Sequence, residues 1–253
     1  VPQVNLGEFN RIKRAIINNN TFSISFSTLF SSVAMRNNPD ILFCIGENKF
    51  QELRENNLRY NCVAVGNPQY DDLYEKRKKN NADLKKVLIV DQGGYPYGQK
   101  GKTQLANTII KLAEDNPDID FDIKLRYLPS EKGQSIHTVS DNLYDYINDP
   151  PDNLKIILEA TNLEAILPEY DAMVTMWSTA FLDAIALDMP LMLIKGFDSS
   201  DVFDVRRQRV ERAYLALEAT GCTIDFRELN DFKNQIKKPK KEFIEKEMYS
   251  FDG

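Results

Sequence analysis

Short, continuously apolar runs recur along this chain, and a stretch with helical spacing follows most of them. "DILFCIG" (40–46) precedes "NKFQELREN", and "NCVAVGNP" (61–68) stops at Gly66 and Pro68. A second series opens with "KVLIVDQGG" (86–94) and continues through "DFDIKLRYLP" (120–129), "LKIILEA" (154–160), "AMVTMW" (172–177) and "PLMLIKG" (190–196). A strand that is apolar on both faces can leave neither face in water. It therefore predicts a sheet covered on both sides, and helices lying between strands make those strands parallel. The expected fold class is α/β.

The intervening stretches fit that reading. "KTQLANTIIKLAED" (102–115) carries Leu105, Ile109 and Leu112 at the spacing of an amphipathic helix. "NLEAILPEY" (162–170) predicts a short helix broken near Pro168. "STAFLDAIALD" (178–188) predicts another helix, and 203–221 a long one ending on a glycine cap at Gly221. "EFIEKEMYSF" closes the chain as a helix. Between the two series lies the lysine-rich 70–86, whose evident core residues are Leu73 and Leu84, and which reads as a linker. A length of 253 residues holds one large domain or two small ones.

Composition narrows the class. A net charge of −6 does not favour nonspecific nucleic-acid binding. No run approaches the roughly 20 apolar residues that span a bilayer. Cys44, Cys62 and Cys222 are scattered without CxxC spacing and read as buried thiols of a reducing compartment, here the cytoplasm. His137 is the only histidine and reads as a surface residue. "DIDFD" (118–122) superficially has the look of a metal motif, but acids are common at a turn between helix and strand, so no metal is expected.

The stretch 172–194 poses the functional question. Ser178 and Thr179 stand where an apolar strand gives way to a helix, with Asp183 one turn further on. The first N–H groups of a helix lack partners and attract anions. Hydroxyls there cap the helix, bind a phosphate, or do both. Ligands of parallel sheets sit outside the carboxyl ends of the strands, so a carboxylate at Asp183 is placed to accept from sugar hydroxyls. The plainer alternative is an ordinary cap with one exposed acid.

The order of these elements resembles the GT-B glycosyltransferases and the related glycerophosphotransferases of wall teichoic acid synthesis. The segment "YDAMVTMWSTAFLDAIALDMPLMLI" is similar to their donor-nucleotide site, with Asp188-Met189-Pro190 in place of the usual Gly-x-Pro. "VAVGNPQYDDL" (63–73) resembles the end of their first domain, and "VLIVDQGG" the first strand and loop of the second. "IKLRYLPSE" resembles their Lys-x-His-Pro strand end without its histidine, and "EFIEKEMYSFDG" the closing helix. The resemblance implies two Rossmann-like units in a GT-B-like arrangement, the N-terminal one incomplete. Residues 1–75 would be the partial acceptor-side unit and 85–230 the donor-binding unit. Residues 231–253 would form a helix packing back on the first unit.

It also implies a function and a site. A sugar or polyol phosphate would pass from a nucleotide-activated donor to a glycan or lipid-linked glycan acceptor in cell-surface polysaccharide synthesis. No cofactor is implied beyond the donor, and no nucleic acid; peripheral membrane association is left open. Ser178 and Thr179 would hold phosphate, Asp183 the ribose, and Gly93 and Gly94 would let backbone approach the ligand. Lys124, and Arg126 or Lys132 in place of the absent histidine, would supply positive charge. Glu159, Thr161 and Asn162 would lie on the base side, with a helix cap as the alternative for Thr161 or Asn162. The basic residues Arg206, Arg207, Arg209 and Arg212 would meet an anionic substrate or simply face solvent. Asp91, Glu8 and Glu47 lie near strand ends or loops without an assigned role. The rival readings are a nucleotide-sugar epimerase on the same fold and a non-catalytic nucleotide- or carbohydrate-binding domain of a larger protein.

Overall fold

The computed structural model describes residues 42–44, 62–64, 70–77, 83–92, 98–134, 141–176, 178–200, 217–240 and 243. In chain order the elements are β1 (Leu42–Cys44), β2 (Cys62–Ala64), α1 (Asp71–Glu75), β3 (Lys86–Val90), α2 (Gln99–Glu114), β4 (Asp120–Lys124), β5 (Leu154–Ile157), α3 (Leu163–Ile166), β6 (Ala172–Thr175), α4 (Phe181–Ala186), β7 (Leu191–Lys195), β8 (Thr223–Asp225) and α5 (Phe232–Gln235). β1 and β2 pair in parallel, Leu42 opposite Cys62. The other six strands form one parallel sheet in the order β5-β4-β3-β6-β7-β8.

The apolar runs are buried on both faces, as their composition requires. In β3, Val87 and Ile89 enter the core on one face while Leu88 and Val90 enter the core on the other. β6 and β7 repeat this, with Val174, Met192 and Ile194 on the first face and Met173, Leu191 and Leu193 on the second. β4 differs. Phe121 and Ile123 are buried on the first face, but Asp122 lies among polar partners, accepting from the Tyr170 hydroxyl at 2.9 Å and pairing with Lys86 at 3.4 Å. This explains the alternating "DFDIK" against the continuous "KVLIV".

The helices cover the two faces separately. α2 buries Leu105, Ala106, Ile109, Leu112 and Ala113 on the first face, the stripe predicted from Leu105, Ile109 and Leu112. α4 buries Phe181, Ala184 and Ile185 on the second face. The Pro168 break is realised as α3 followed by a 3-10 turn over Leu167–Glu169. β8 went unread in the sequence, because its three residues are half-buried and carry no apolar run.

The linker stretch packs differently from the sequence reading, and the closing segment adds contacts to the sheet. The stretch read as a linker contains α1, and Tyr70 and Leu73 are buried in the second-face core beside α4. An amphipathic turn of this kind is stabilised by the apolar surface it covers, not by its own length. Of the closing segment, Phe232 enters the first-face core, Lys237 bridges to Leu191, and the Phe243 ring lies 6.3 Å from that of Phe181. These described residues pack on the six-stranded sheet. The expected packing against the first unit concerns residues outside the described set. The helix expected after β1, the Gly93-Gly94 loop, His137, Trp177, the four arginines of 206–212, Glu8, Glu47 and residues 244–253 also fall outside it.

Asp188 explains its departure from Gly-x-Pro. Its φ is 54°, and it sits just past the end of α4. Its N–H donates to Ile185 at 2.9 Å and that of Met189 to Ala184 at 2.9 Å, the double bond of a helix closed by a left-handed residue. Aspartate tolerates that conformation better than most side chains. Gly221, the expected glycine cap, has φ 73°, and a Cβ there would stand 2.7 Å from Lys240 Cε. Gly221→Ala is therefore expected to destabilise the fold by about 1–2 kcal/mol, read as a lowered midpoint in thermal or urea unfolding. An unchanged midpoint would mean that the cap relaxes freely.

Candidate functional site

The sheet order creates one privileged position. β3 lies between β4 and β6, and the chain leaves these strands in opposite directions. After β3 it passes to α2 on the first face; after β6 it passes to α4 on the second. Diverging connections leave a crevice above the carboxyl ends of β3 and β6, the switch point at which parallel sheets bind ligands. The two strand ends are tied by the Thr175 hydroxyl, which donates to the Val90 carbonyl at 3.0 Å. Asp91 and Gln92 lead from one strand into this crevice, and Ser178 and Thr179 from the other.

Ser178 and Thr179 lie in the turn before α4, not in the helix itself. Carbonyls of Ser178 and Thr179 accept from Phe181 and Leu182 at 3.2 and 3.0 Å, and Ser178 Oγ accepts from the Ala180 N–H at 3.3 Å. The local-cap alternative is thus present for Ser178, but only as an acceptor. Its hydroxyl proton remains available to a ligand. Thr179 is exposed, and its hydroxyl makes no hydrogen bond to the described residues.

Asp183 is the least ordinary member of the set. It sits in the first turn of α4, half-buried, with no hydrogen bond or ion pair among the described residues. Burial, and then the charge of Glu164 on α3, push its carboxyl up to about 7. An acid held without a cation beside a second acid is poorly placed for stability, and such groups gather at functional sites. Glu164 itself was missed in the sequence, because only the fold brings α3 beside α4.

On the other side of the switch point stand β4 and β5. Lys124 ends β4, its ammonium held below the usual range by burial. Arg126 is exposed beyond it, and its charge reaches Asp91. Lys132 is engaged by Asp141 at 2.7 Å and Asp145 at 3.0 Å. Asp91 is 3% exposed, and burial pushes it up to about 7 despite N–H donors from Leu143 and Gln92 and the charges of Lys102 and Arg126. Lys102, in the first part of α2, was not singled out in the sequence, where it read as an ordinary helix residue.

The three base-side residues follow β5 and divide. Glu159 is exposed. Asn162 caps α3, its Oδ1 accepting from Glu164 at 3.1 Å, so the capping alternative holds for it. Thr161 Oγ1 is buried without a hydrogen-bond partner, a condition that buried polar atoms rarely keep. Leu158 beside them is 53% exposed, an apolar surface at the same edge. With strands about 4.8 Å apart, β5 lies three spacings, roughly 14 Å, from β6. The set is as broad as an extended nucleotide.

The acids of "DIDFD" do not converge: Asp118 pairs with Lys233 at 2.7 Å, Asp122 with Lys86, and Asp120 is exposed. Among the described residues no group of three or more His, Cys, Asp or Glu is placed to hold a metal ion. Among them, too, no helix is long and apolar enough to cross a membrane. Cys222 is buried, and burial pushes its thiol up to about 11.

This is a doubly covered parallel α/β sheet with a crevice at its switch point. Residues 23–247 match the DUF6716 family, described as "Putative glycosyltransferase", and the chain belongs to that family. No curated protein matches it. Similar solved structures include the beta Kdo 2,4 transferase KpsC of Thermosulfurimonas dismutans, at 15% identity over 64% of this chain and 59% of that one, TM-score 0.36. Others are the UDP-GlcNAc 2-epimerase of Methanocaldococcus jannaschii (15%, 82% and 56%, TM-score 0.48) and the glycosyltransferase SnogD of Streptomyces nogalater (11%, 88% and 72%, TM-score 0.34). The chain spans between half and three-fifths of the first of these structures. These likenesses are distant.

Asp183 supplies a test that needs no ligand. Its carboxyl, at about 7 in the fold against a usual 3.8, holds a proton more tightly folded than unfolded. Stability therefore falls as pH rises between those values, and the deficit is complete above them. Asp183→Asn is expected to raise the melting temperature at about pH 8 and to change it little at about pH 4. An equal shift at both pH values would show that the acid is not strained by its surroundings.

Proposed function

We propose that this chain transfers a sugar or polyol phosphate from a nucleotide-activated donor to a glycan acceptor in the synthesis of cell-surface polysaccharide. The observation that carries this reading is the placement of Ser178, Thr179 and Asp183 at the switch point of a doubly covered parallel sheet, in a chain of a family described as glycosyltransferases. The donor phosphates lie at the turn before α4, where the Ser178 and Thr179 hydroxyls donate to them. Asp183 accepts from the ribose hydroxyls, and its charge is more easily kept once those donors arrive. The nucleoside extends across the sheet edge towards Thr161 and Leu158, with Thr161 Oγ1 finding there the partner it lacks.

In the transfer step the bond from the donor group to the phosphate breaks, and its electron pair stays on the phosphate oxygen. Donors already in place stabilise that charge without reorganising. Arg126 and Lys124 are the cations at this edge, so the reading needs no metal. The acceptor's oxygen forms the new bond, and its proton leaves to a group outside this set. The GT-B arrangement, with an incomplete first unit at 1–75, a donor unit at 85–230 and a closing 231–253, belongs to the same proposal. So do a cytoplasmic location, peripheral contact with a membrane, and a glycan or lipid-linked acceptor.

Calorimetric titration with CMP, CDP, UDP and GDP tests the reading. One nucleotide is expected to bind equally with and without EDTA. Ser178→Ala and Thr179→Ala should each weaken it by roughly 1.5–3 kcal/mol, the worth of a hydrogen bond to a charged group, which is about tenfold or more in Kd. Asp183→Asn should weaken ribonucleotides more than their 2′-deoxy forms. Stability losses of about 0.5–2 kcal/mol with unchanged affinity would leave the hydroxyls as caps only.

A further inference from the structure

A second concave region lies away from the switch point, on the first face of the sheet. The outer side of α2 and residues 226–232 enclose a cavity of about 520 Å³, a size typical of small-molecule sites. α2 contributes Gln104, Asn107, Thr108 and Lys111, and Asp115 follows as its C-cap. At 1.5 Å per residue this stripe runs about 16 Å, so the cavity is a groove and not a cup. Phe226, Arg227, Leu229 and Asn230 form the facing wall.

The charges in the groove are already answered. Lys111 pairs with Asp115 at 2.7 Å, and Arg227 with Asp225 at 2.6 Å. Asp231 caps α5, accepting from the Asn234 N–H at 3.3 Å and from its side-chain amide at 2.7 Å. Two cations and two acids line the groove, so neither a phosphate nor an ammonium ion gains an open counter-charge there. What remains is amide chemistry. Asn107 is exposed and makes no hydrogen bond to the described residues. Gln104 uses its Oε1 to accept from Asp198 at 2.8 Å, which leaves its amide N–H groups. Asn230 uses its Oδ1 to accept from Gln235 at 3.2 Å, with the same result.

An apolar surface accompanies these donors. Phe226 stacks on Phe197 at 5.0 Å with the Arg227 guanidinium 5.8 Å from its ring centroid, and Leu229, partly buried, packs against the same core. Neutral amides around an apolar patch match a pyranose ring, whose hydroxyls hydrogen-bond at its rim while its C–H face lies on carbon. The length of the groove favours several rings over one. We propose that the groove between α2 and residues 226–232 binds a neutral oligosaccharide, held by Gln104, Asn107 and Asn230 against Phe226 and Leu229. The proposal stands apart from the transfer reading, since it uses no residue of the switch point.

Saturation-transfer NMR and calorimetry on the whole chain test it, with maltotetraose, chitotetraose and a uronic-acid tetrasaccharide as probes and no nucleotide present. At least one neutral tetramer is expected to bind saturably at millimolar concentration. Asn107→Trp, which fills the groove from an exposed position, should weaken it tenfold or more while nucleotide binding and melting temperature stay unchanged. Asn230→Ala should weaken it by a smaller factor and serves if the tryptophan disturbs α2. The proposal is overturned by no saturable binding of either neutral tetramer, by preference for the acidic one, or by equal affinity in both variants. Loss of binding in Ser178→Ala would place the glycan at the switch point and overturn it equally.

Discussion

Everything in this protein hangs on β3 being buried on both faces. Val87 and Ile89 cannot be covered by the elements that cover Leu88 and Val90. The chain must therefore place α2 on one side and α4 on the other, and the strand order must turn outward in both directions from β3. The crevice between the ends of β3 and β6 is a by-product of that solution. The apolar content of a five-residue strand thus sets where a ligand can go before any polar residue is considered.

The polar residues at that edge are then held at a cost. Asp91 and Asp183 are both pushed up to about 7, the first chiefly by burial and the second by burial and Glu164. Thr161 Oγ1 is buried without a partner. Thr223 Oγ1 on β8 shares this condition, whereas Thr175 donates to Val90, Asn116 to Leu112 and Thr220 to Leu217.

Much of this was legible in the residues. Continuous apolar runs named the central strands because burial on two faces leaves a composition that nothing else explains. The stripe on α2 was readable for the same reason, and Gly221 because a left-handed cap demands it. β8 and α1 were hidden: one is half-buried without a pattern, the other a single amphipathic turn whose worth depends on α4. At the site, Ser178, Thr179 and Asp183 could be picked out because they are close in sequence. Glu164, Lys102 and the burial of Asp91 could not, since each depends on what the fold brings alongside. Asn162 takes the capping role that the sequence also offered, because an amide before a short helix serves the nearest N–H. Asp188 showed the reverse, a departure from a familiar pattern that keeps the backbone angle which the pattern exists to provide.

The pairing of β3 with β6 carries a further consequence, for the order of events in synthesis and folding. Val90 and Thr175, whose contact ties the crevice together, are 85 residues apart in the chain. As the polypeptide emerges, β3 and β4 can pair early, yet one edge of β3 has no neighbour until β6 arrives. Such distant pairings are slow to form, because a long loop must close before any contact rewards it. Until then an apolar strand edge is open to other chains. The place where the proposed ligand would sit is also the seam that closes late, so the hazard of misassembly and the proposed site share one joint.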